Sequence, residues 1–578
     1  MASLPPDIMN MICEELATGR EFGTLFHLCL SGKYMAGGAL WWLYRIHTHT
    51  SIRGGESNED EMSRTGEFKE TSIAARVTQQ KLTVFQWALQ WRSIILSSLG
   101  KTLYPYCLYI QSLDLRNLVY LLEDDIFRNN FQDMFFSSLP SFSETQINTR
   151  VLRSKGKELT RINIPLIIDS VGDSISKFIG ESATVLGTTA ALDSIDLSGN
   201  INPIAFPTWV GRLPRLESMA LWDGTVLNSH VGEILRNHCH NFKSLSIYTC
   251  YGDRADSNLA GFFNALPENT LKTFHMFSTN DIAGEAFQAL NQHRESLVEL
   301  SLNSLKAPAI RSLWMLKGLT ALRNLHLDDI EGRINLESTA NDSFLDLISW
   351  VTGCVQLKTI RLDRFVDGPA IIRALCENSD IRLNSVTLTG YTFVGNKSLH
   401  RSLSNQPELE SLELRAEVEE DDDEDTLDDD TEVLVHSIST LFKLRYLNLL
   451  DTSSHFNFVD VEILASSLLK LEDLSISGTT MGDEIWEYIS QLQQLRSLSF
   501  HCMTNFTFDG IMKYVSNLRQ TNYGLHLYTM NATAEGRLSP REQTIIKETI
   551  GKKVNGRFTF VQYRDLESDS DTDSDSGW

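Results

Sequence analysis

Leu297-Val298-Glu299-Leu300-Ser301-Leu302 is followed 25 residues later by Leu322-Arg323-Asn324-Leu325-His326-Leu327. Both hexads carry apolar residues at their first, fourth and sixth positions. In a strand, successive side chains point to opposite faces, so the last two apolar residues share one face and the residues flanking them share the other. The same spacing occurs upstream at Leu159/Ile162/Ile164, Leu192/Ile195/Leu197, Leu216/Met219/Leu221, Phe242/Leu245/Ile247 and Leu271/Phe274/Met276. Downstream it occurs at Leu357/Ile360/Leu362, Leu383/Val386/Leu388, Leu409/Leu412/Leu414, Leu444/Leu447/Leu449, Leu471/Leu474/Ile476 and Leu495/Leu498/Phe500. An earlier copy stands at Ile110/Leu113/Leu115, and a degenerate late one ends in Leu525/Leu527.

Most copies from Leu192 onward start 24–29 residues apart, with two steps of 35 at 322–357 and 409–444. Between them lie segments with apolar residues at three- and four-residue steps, which predict helices. These are Val231–Cys239, Ala286–His293, Phe344–Cys354, Ala370–Asn378, Val433–Phe442, Val461–Leu469 and Glu484–Leu492. A strand plus a helix at this period is the leucine-rich-repeat unit. One unit cannot bury its apolar face alone, and stacking supplies the core. The expected fold is α/β: a leucine-rich-repeat solenoid of horseshoe form, parallel strands on the concave face and helices on the convex face. Irregular lengths and the scarcity of Asn after the strand (Asn200 is one of few) resemble the cysteine-containing class of these repeats. Ser539-Pro540-Arg541-Glu542 reads as a capping box that opens a helix to about Val554, with a last strand over 556–564 closing the array.

The chain has 578 residues and a formal net charge of −24, from 51 Lys+Arg and 75 Asp+Glu. Two segments carry most of it: 417–432 holds twelve acids and 565–578 holds six, neither with a base. The remainder is nearly neutral at −6. The first segment fills the 409–444 step, so it reads as an insertion in a repeat connection. Both read as solvated, disordered chain. With no clustered Lys/Arg to displace counterions, general nucleic-acid binding is not expected. No signal-like start and no apolar run of spanning length point to the membrane or secretory route. Eight scattered cysteines without a C-x-x-C pair fit a reducing compartment, cytoplasmic and/or nuclear. Nothing in the sequence points to a homo-oligomer.

Residues 1–48 differ from the repeats. Leu4-Pro5-Pro6-Asp7-Ile8 is followed by Ile12 and Leu16 on one helical face, then Leu25 and Leu28, then Ser31, Lys33 and Tyr34. This stretch resembles an F-box of the divergent fungal type. The resemblance implies binding to the Skp-type adaptor, and with it the cullin, of an SCF ubiquitin ligase. The implied contacts are Leu4, Pro5, Ile8, Ile12, Leu16 and Leu25. Behind it the sequence divides into a polar linker over 49–72, a connecting helical segment over 73–105, the solenoid over 106–564 with the 417–432 insertion, and the Ser/Asp tail over 565–578.

Motifs for chemistry fail on inspection. Gly100-Lys101-Thr102 has Ile95 where a phosphate-binding loop requires Gly. His238-Cys239-His240 with Cys250 lacks the spaced pairs of a metal site. No catalytic residue, metal or cofactor is expected. A binding surface is better marked. The position after the triplet is Trp222, Tyr248 and Phe277 in three consecutive repeats, so their rings are expected to form one ladder on neighbouring strands ~4.8 Å apart. Beside them come Asn303, Asp328 and Asp363, with His275, His326 and Arg361 two residues earlier in their strands. Trp222, Tyr248, Phe277, His275, Asp328 and Arg361 are the expected contacts of an unknown protein target. Ser568, Ser570, Thr572 and Ser574, each followed by Asp, are candidate phosphorylation sites. The expected function is a non-catalytic substrate receptor of a ubiquitin ligase. The alternatives are a leucine-rich-repeat scaffold without a ligase role and, below it, a GTPase activator of the Ran-type family, which also joins such repeats to an acidic tail.

Overall fold

The computed structural model describes residues 5–45, 73–137, 139, 152–154, 157–159, 162–185, 190–197, 202–417, 424–531 and 538–562. Leu4, the linker 49–72, Asn200 and the whole tail, with Ser568, Ser570, Thr572 and Ser574, lie outside these residues. The chain forms two compact units, Met1–Ser296 and Leu297–Trp578.

The repeats fold as an α/β leucine-rich-repeat solenoid. In the first unit, five strands run parallel in chain order: Ser112–Asp114, Ser194–Leu197, Ser218–Asp223, Ser244–Thr249 and Thr273–Met276. Their register places Leu113, Ile195, Met219, Leu245 and Phe274 side by side. In the second unit, ten more parallel strands follow, from Glu299–Leu305 to Arg557–Gln562. Here the matching row is Leu300, Leu325, Ile360, Val386, Leu412, Leu447, Leu474, Leu498, Leu527 and Phe558. No member of either row is more than 4% exposed. Each such side chain contributes about 1.5–3 kcal/mol through its removal from water.

Helices close the other side of each repeat. Ser229–His238 shows the logic: Asn228 caps it by accepting from the Val231 amide at 3.2 Å, and Val231 and Leu235 turn inward. Gly232 lets the next helix, Ala255–Ala265, approach. A Cβ there would lie 2.6 Å from Ala265 Cβ and 2.7 Å from the Phe262 carbonyl oxygen. At the far end Ser539 and Glu542 form the expected capping box, the helix runs Pro540–Val554, and Asn555 turns the chain at φ 53° into the last strand.

Two expectations are corrected. Leu159/Ile162/Ile164 is not a repeat strand. Lys157–Leu159 pairs antiparallel with Leu152–Ser154, and Ile164 opens a helix to Val185. Pro165 fits the first helical turn, and Ile167, Val171, Ile175 and Ile179 bury one face at four-residue steps. The strand Ser112–Asp114 therefore pairs directly with Ser194–Leu197, and the chain between them is an insertion. The acidic insertion is the second correction, for its described residues; 418–423 lie outside them. Glu417 ends a strand, and Glu424–Ser439 is one helix. Leu427, Leu434, Val435 and Ile438 lie fully inside. Six acids in its first nine residues complement the positive helix N-terminus, which offsets the modest helix propensity of Asp.

At the N-terminus, Pro6–Thr18, Phe22–Ser31 and Lys33–Arg45 form a three-helix module. Its core is Met9, Cys13, Ala17, Leu25 and Ala39, with Leu16, Phe22 and Leu28 packed against it. The third helix seats on the connecting helix Ile73–Ser98: Tyr44 bonds Ser93 at 2.6 Å and stacks on Tyr106 at 4.6 Å. Gly100, with φ 67°, stops that helix, and the Lys101 amide donates back to the Leu96 carbonyl at 2.9 Å. A structural stop thus accounts for the Gly-Lys-Thr sequence.

Candidate functional site

Strand alternation turns Trp222 and Tyr248 away from the core. Phe277, one residue past its strand, is fixed by its amide donating to the Ile247 carbonyl at 2.9 Å. The three rings form a continuous ladder. Trp222 stacks on Tyr248 with centroids 5.2 Å apart and planes at 22°, and Tyr248 meets Phe277 at 5.0 Å. These spacings follow the strand separation. His275 sets its edge against Phe277 at 5.7 Å. Trp222 remains 49% exposed and Phe277 40%, with Tyr251 beyond them at 58%. The ladder is therefore ordered by its own stacking yet open to a partner.

Beside the ladder lies a cluster that the sequence reading did not single out. Asp114 and Asp196 occupy equivalent positions on paired strands. Arg116 bridges them. Its guanidinium forks onto Asp114 at 3.0 and 2.9 Å and also reaches Asp196. Burial and the like charge of Asp114 outweigh Arg116 and push the Asp196 carboxyl up to about 6. The signal was present: acids at the same position of successive repeats would stand side by side and demand a cation. At the strands' N-terminal ends, a polar cleft of about 420 Å³ is lined by Arg45, Gln111, Ser112, Asp193, Glu217 and Lys243, among others. Lys243 pairs with Glu217, and Arg45 lies over the Trp41 ring at 4.7 Å. Its lining comes from five separate stretches of chain, so no local motif announces it.

Asp328 and Arg361, also expected to meet a target, belong to the second unit and to a bonded network. Arg361 Nε donates to Asp363 at 2.6 Å, and Arg364 donates to Asp328 at 2.7 Å, where the Ser304 amide also donates at 3.0 Å. His326 bonds Asp363 at 2.8 Å and Ser301 at 3.1 Å. Burial works to raise the Asp363 pKa, but the bonds from His326, Arg361 and Thr389 hold it well below the usual carboxylate range. Both His326 nitrogens are engaged, and Asp363 is shared among three donors. The Ser-His-Asp alignment thus works as a surface brace. Asp328 is 9% exposed, so Arg361, with a 46% exposed side chain, offers the more accessible contact of the two.

On the N-terminal module, Ile8, Met11 and Ile12 are 42, 63 and 40% exposed and follow i, i+3, i+4 spacing, one stripe of the first helix. Phe26 and Leu30 form a second exposed stripe at 51 and 68%, and Tyr34 is 50% exposed. Pro5 is exposed as well. Leu16 is half-buried. Leu25, expected as a contact, is fully buried and is a core residue. His238 and His240 are exposed on either side of Cys239, whose buried thiol donates to the Leu213 carbonyl at 3.3 Å, so the three residues diverge. Among the described residues no His/Cys/Asp/Glu group could hold a metal ion, and no helix is long and apolar enough to cross a membrane.

No protein-family model matches the chain, and no curated protein matches it. Among solved structures it is similar to the crystal structure of a TLR13–ssRNA13 complex. That match has 15% identity and a TM-score of 0.31, over 67% of this chain and 62% of that one. The chain thus spans less than two thirds of that neighbour's length. The leucine-rich-repeat fold of this chain rests on its own strand register and repeat spacing.

Proposed function

We propose that this chain is a non-catalytic substrate receptor of an SCF-type ubiquitin ligase. In this reading the N-terminal module docks the Skp-type adaptor and the repeats hold a protein target through the aromatic ladder. A solenoid offers an extended surface for protein binding, which is the coarser part of the reading. The observation that carries the finer part is the pair of exposed apolar stripes on a module only three helices long. Ile8, Met11 and Ile12 on one helix, and Phe26 and Leu30 on the next, cost solvation free energy unless a partner covers them. The ligase contributes the chemistry, and the receptor contributes proximity.

The test is a pull-down with the full chain. Wild type retains adaptor and cullin, Ile8→Asp/Ile12→Asp loses both, and Trp222→Ala/Tyr248→Ala keeps both but loses co-purifying target. Failure of wild type to retain the adaptor would leave a scaffold without a ligase role.

A further inference from the structure

The outer face of the second unit carries a surface that the receptor reading does not use. Three successive outer helices, Glu424–Ser439, Phe458–Ser467 and Ile485–Ile489, contain nine acids and no Lys or Arg. In the first of them the apolar residues turn inward, and Asp425, Asp428, Asp429 and Glu432 line the exposed side. The second helix is different. Phe458 and Val459 are each 43% exposed and Ile463 is 38% exposed. Val459 and Ile463 stand one turn apart on the same stripe. A solenoid's outer helix ordinarily shows water a polar face, as Ser229–His238 does with Glu233, Arg236 and Asn237.

The acids are close to this apolar stripe. His455, three residues before Phe458, bonds Asp428 at 2.6 Å. Asp460, in the first turn of the second helix, feels the charges of Asp428 and Glu432. On the other flank Glu462 takes the Tyr488 hydroxyl from the third helix. Lys397 is held by Asp429 and Asp430, and the His455 ring by Asp428.

We propose that this face is a docking site for a basic amphipathic helix of a partner protein. Its aliphatic stripe would cover Phe458, Val459 and Ile463, and its Lys/Arg flanks would meet Asp428, Glu432 and Glu462. Charge decides the occupant. A second copy of this chain would bring the same acids against these, which is repulsive, and a neutral apolar partner would leave them unpaired. A cationic helix satisfies both halves of the surface, as helix-in-groove recognition requires.

The probe is a fluorescein-labelled peptide of roughly sixteen residues, leucine on one helical stripe and lysine elsewhere. A scrambled peptide of identical composition is the control. Anisotropy with the full chain is expected to show at least tenfold tighter binding of the amphipathic peptide. Val459→Ser/Ile463→Ser removes that preference, and Asp428→Asn/Glu432→Gln weakens both peptides. All these residues are exposed, so unchanged thermal melting certifies the folded state. Raising salt to about 0.5 M, where screening acts within a few ångströms, weakens binding of wild type. Equal affinity for the two peptides overturns the proposal, as does full affinity in Val459→Ser/Ile463→Ser. Concentration-dependent dimerisation of wild type that Ile463→Asp abolishes also overturns it, by placing a second copy on this face.

Discussion

His293 in the first unit and His400 in the second are completely buried. Neither ring nitrogen of His293 has a hydrogen-bond partner among the described residues, and His400 is bonded at Nε2 by the Tyr391 hydroxyl at 3.2 Å. Desolvation pushes both imidazoles down to about 4. In the unfolded chain they titrate near ~6.5. Their folded pKa is therefore depressed, so the unfolded state takes up protons first as pH falls. Stability is intact above about pH 6.5 and is lost as pH falls from there toward 4. At about pH 5 the loss is about 2 kcal/mol for each histidine. Melting curves at about pH 7 and 5 check this. His293→Leu/His400→Leu is expected to lose less melting temperature between the two than wild type, and equal losses would refute the assignment.

Between residues and molecule, the repeats are locked by carboxylates that cap a helix in a different repeat. Asp256, in the first turn of Ala255–Ala265, accepts from the Ala283, Glu285 and Ala286 amides at 2.7–3.0 Å, where Gly284–Leu290 begins. Asp483 does the same for the Thr507 amide at 3.0 Å, and Thr507 in turn caps Phe508–Asn517. One such carboxylate satisfies several helix-end donors and opposes the positive end of the dipole. Asp256→Ala leaves those donors to water and is expected to cost about 1–2 kcal/mol, read as a lower urea midpoint at unchanged m-value. At this scale the limits of sequence reading are physical. The repeat strands were legible because the inward-facing register rows are apolar at fixed spacing, and the ring ladder because its residues hold one position in consecutive repeats. Leu159/Ile162/Ile164 misled because the same spacing fits a strand end running into the first turn of a helix. A helix was expected from Val433, but its acidic first half was missed because its charge suggests solvated chain, while the residues that hold it, Leu427 and Thr431, lie among the acids themselves. The carboxylate caps and the polar cleft join residues far apart in sequence and have no local signature.

For the whole molecule, stacking implies nearly one-dimensional energetics, in which each repeat is stabilised by itself and its neighbours. The array ends on Pro540–Val554 and Arg557–Gln562, where Ile546, Ile550 and Val554 are at most 1% exposed. Ile546→Ala removes buried methyl groups and is expected to cost about 2–5 kcal/mol. In a protein built around one core that loss would lower protection everywhere. In a stacked array it falls on the end. Amide exchange is expected to accelerate in Arg557–Gln562 and His526–Asn531, less in Ser497–Thr504, and not at all in Ser194–Leu197 of the first unit. A graded loss moving inward from the last strand supports nearest-neighbour coupling. Equal acceleration in Ser194–Leu197 would show that the two units unfold as one, and the one-dimensional account would then fail.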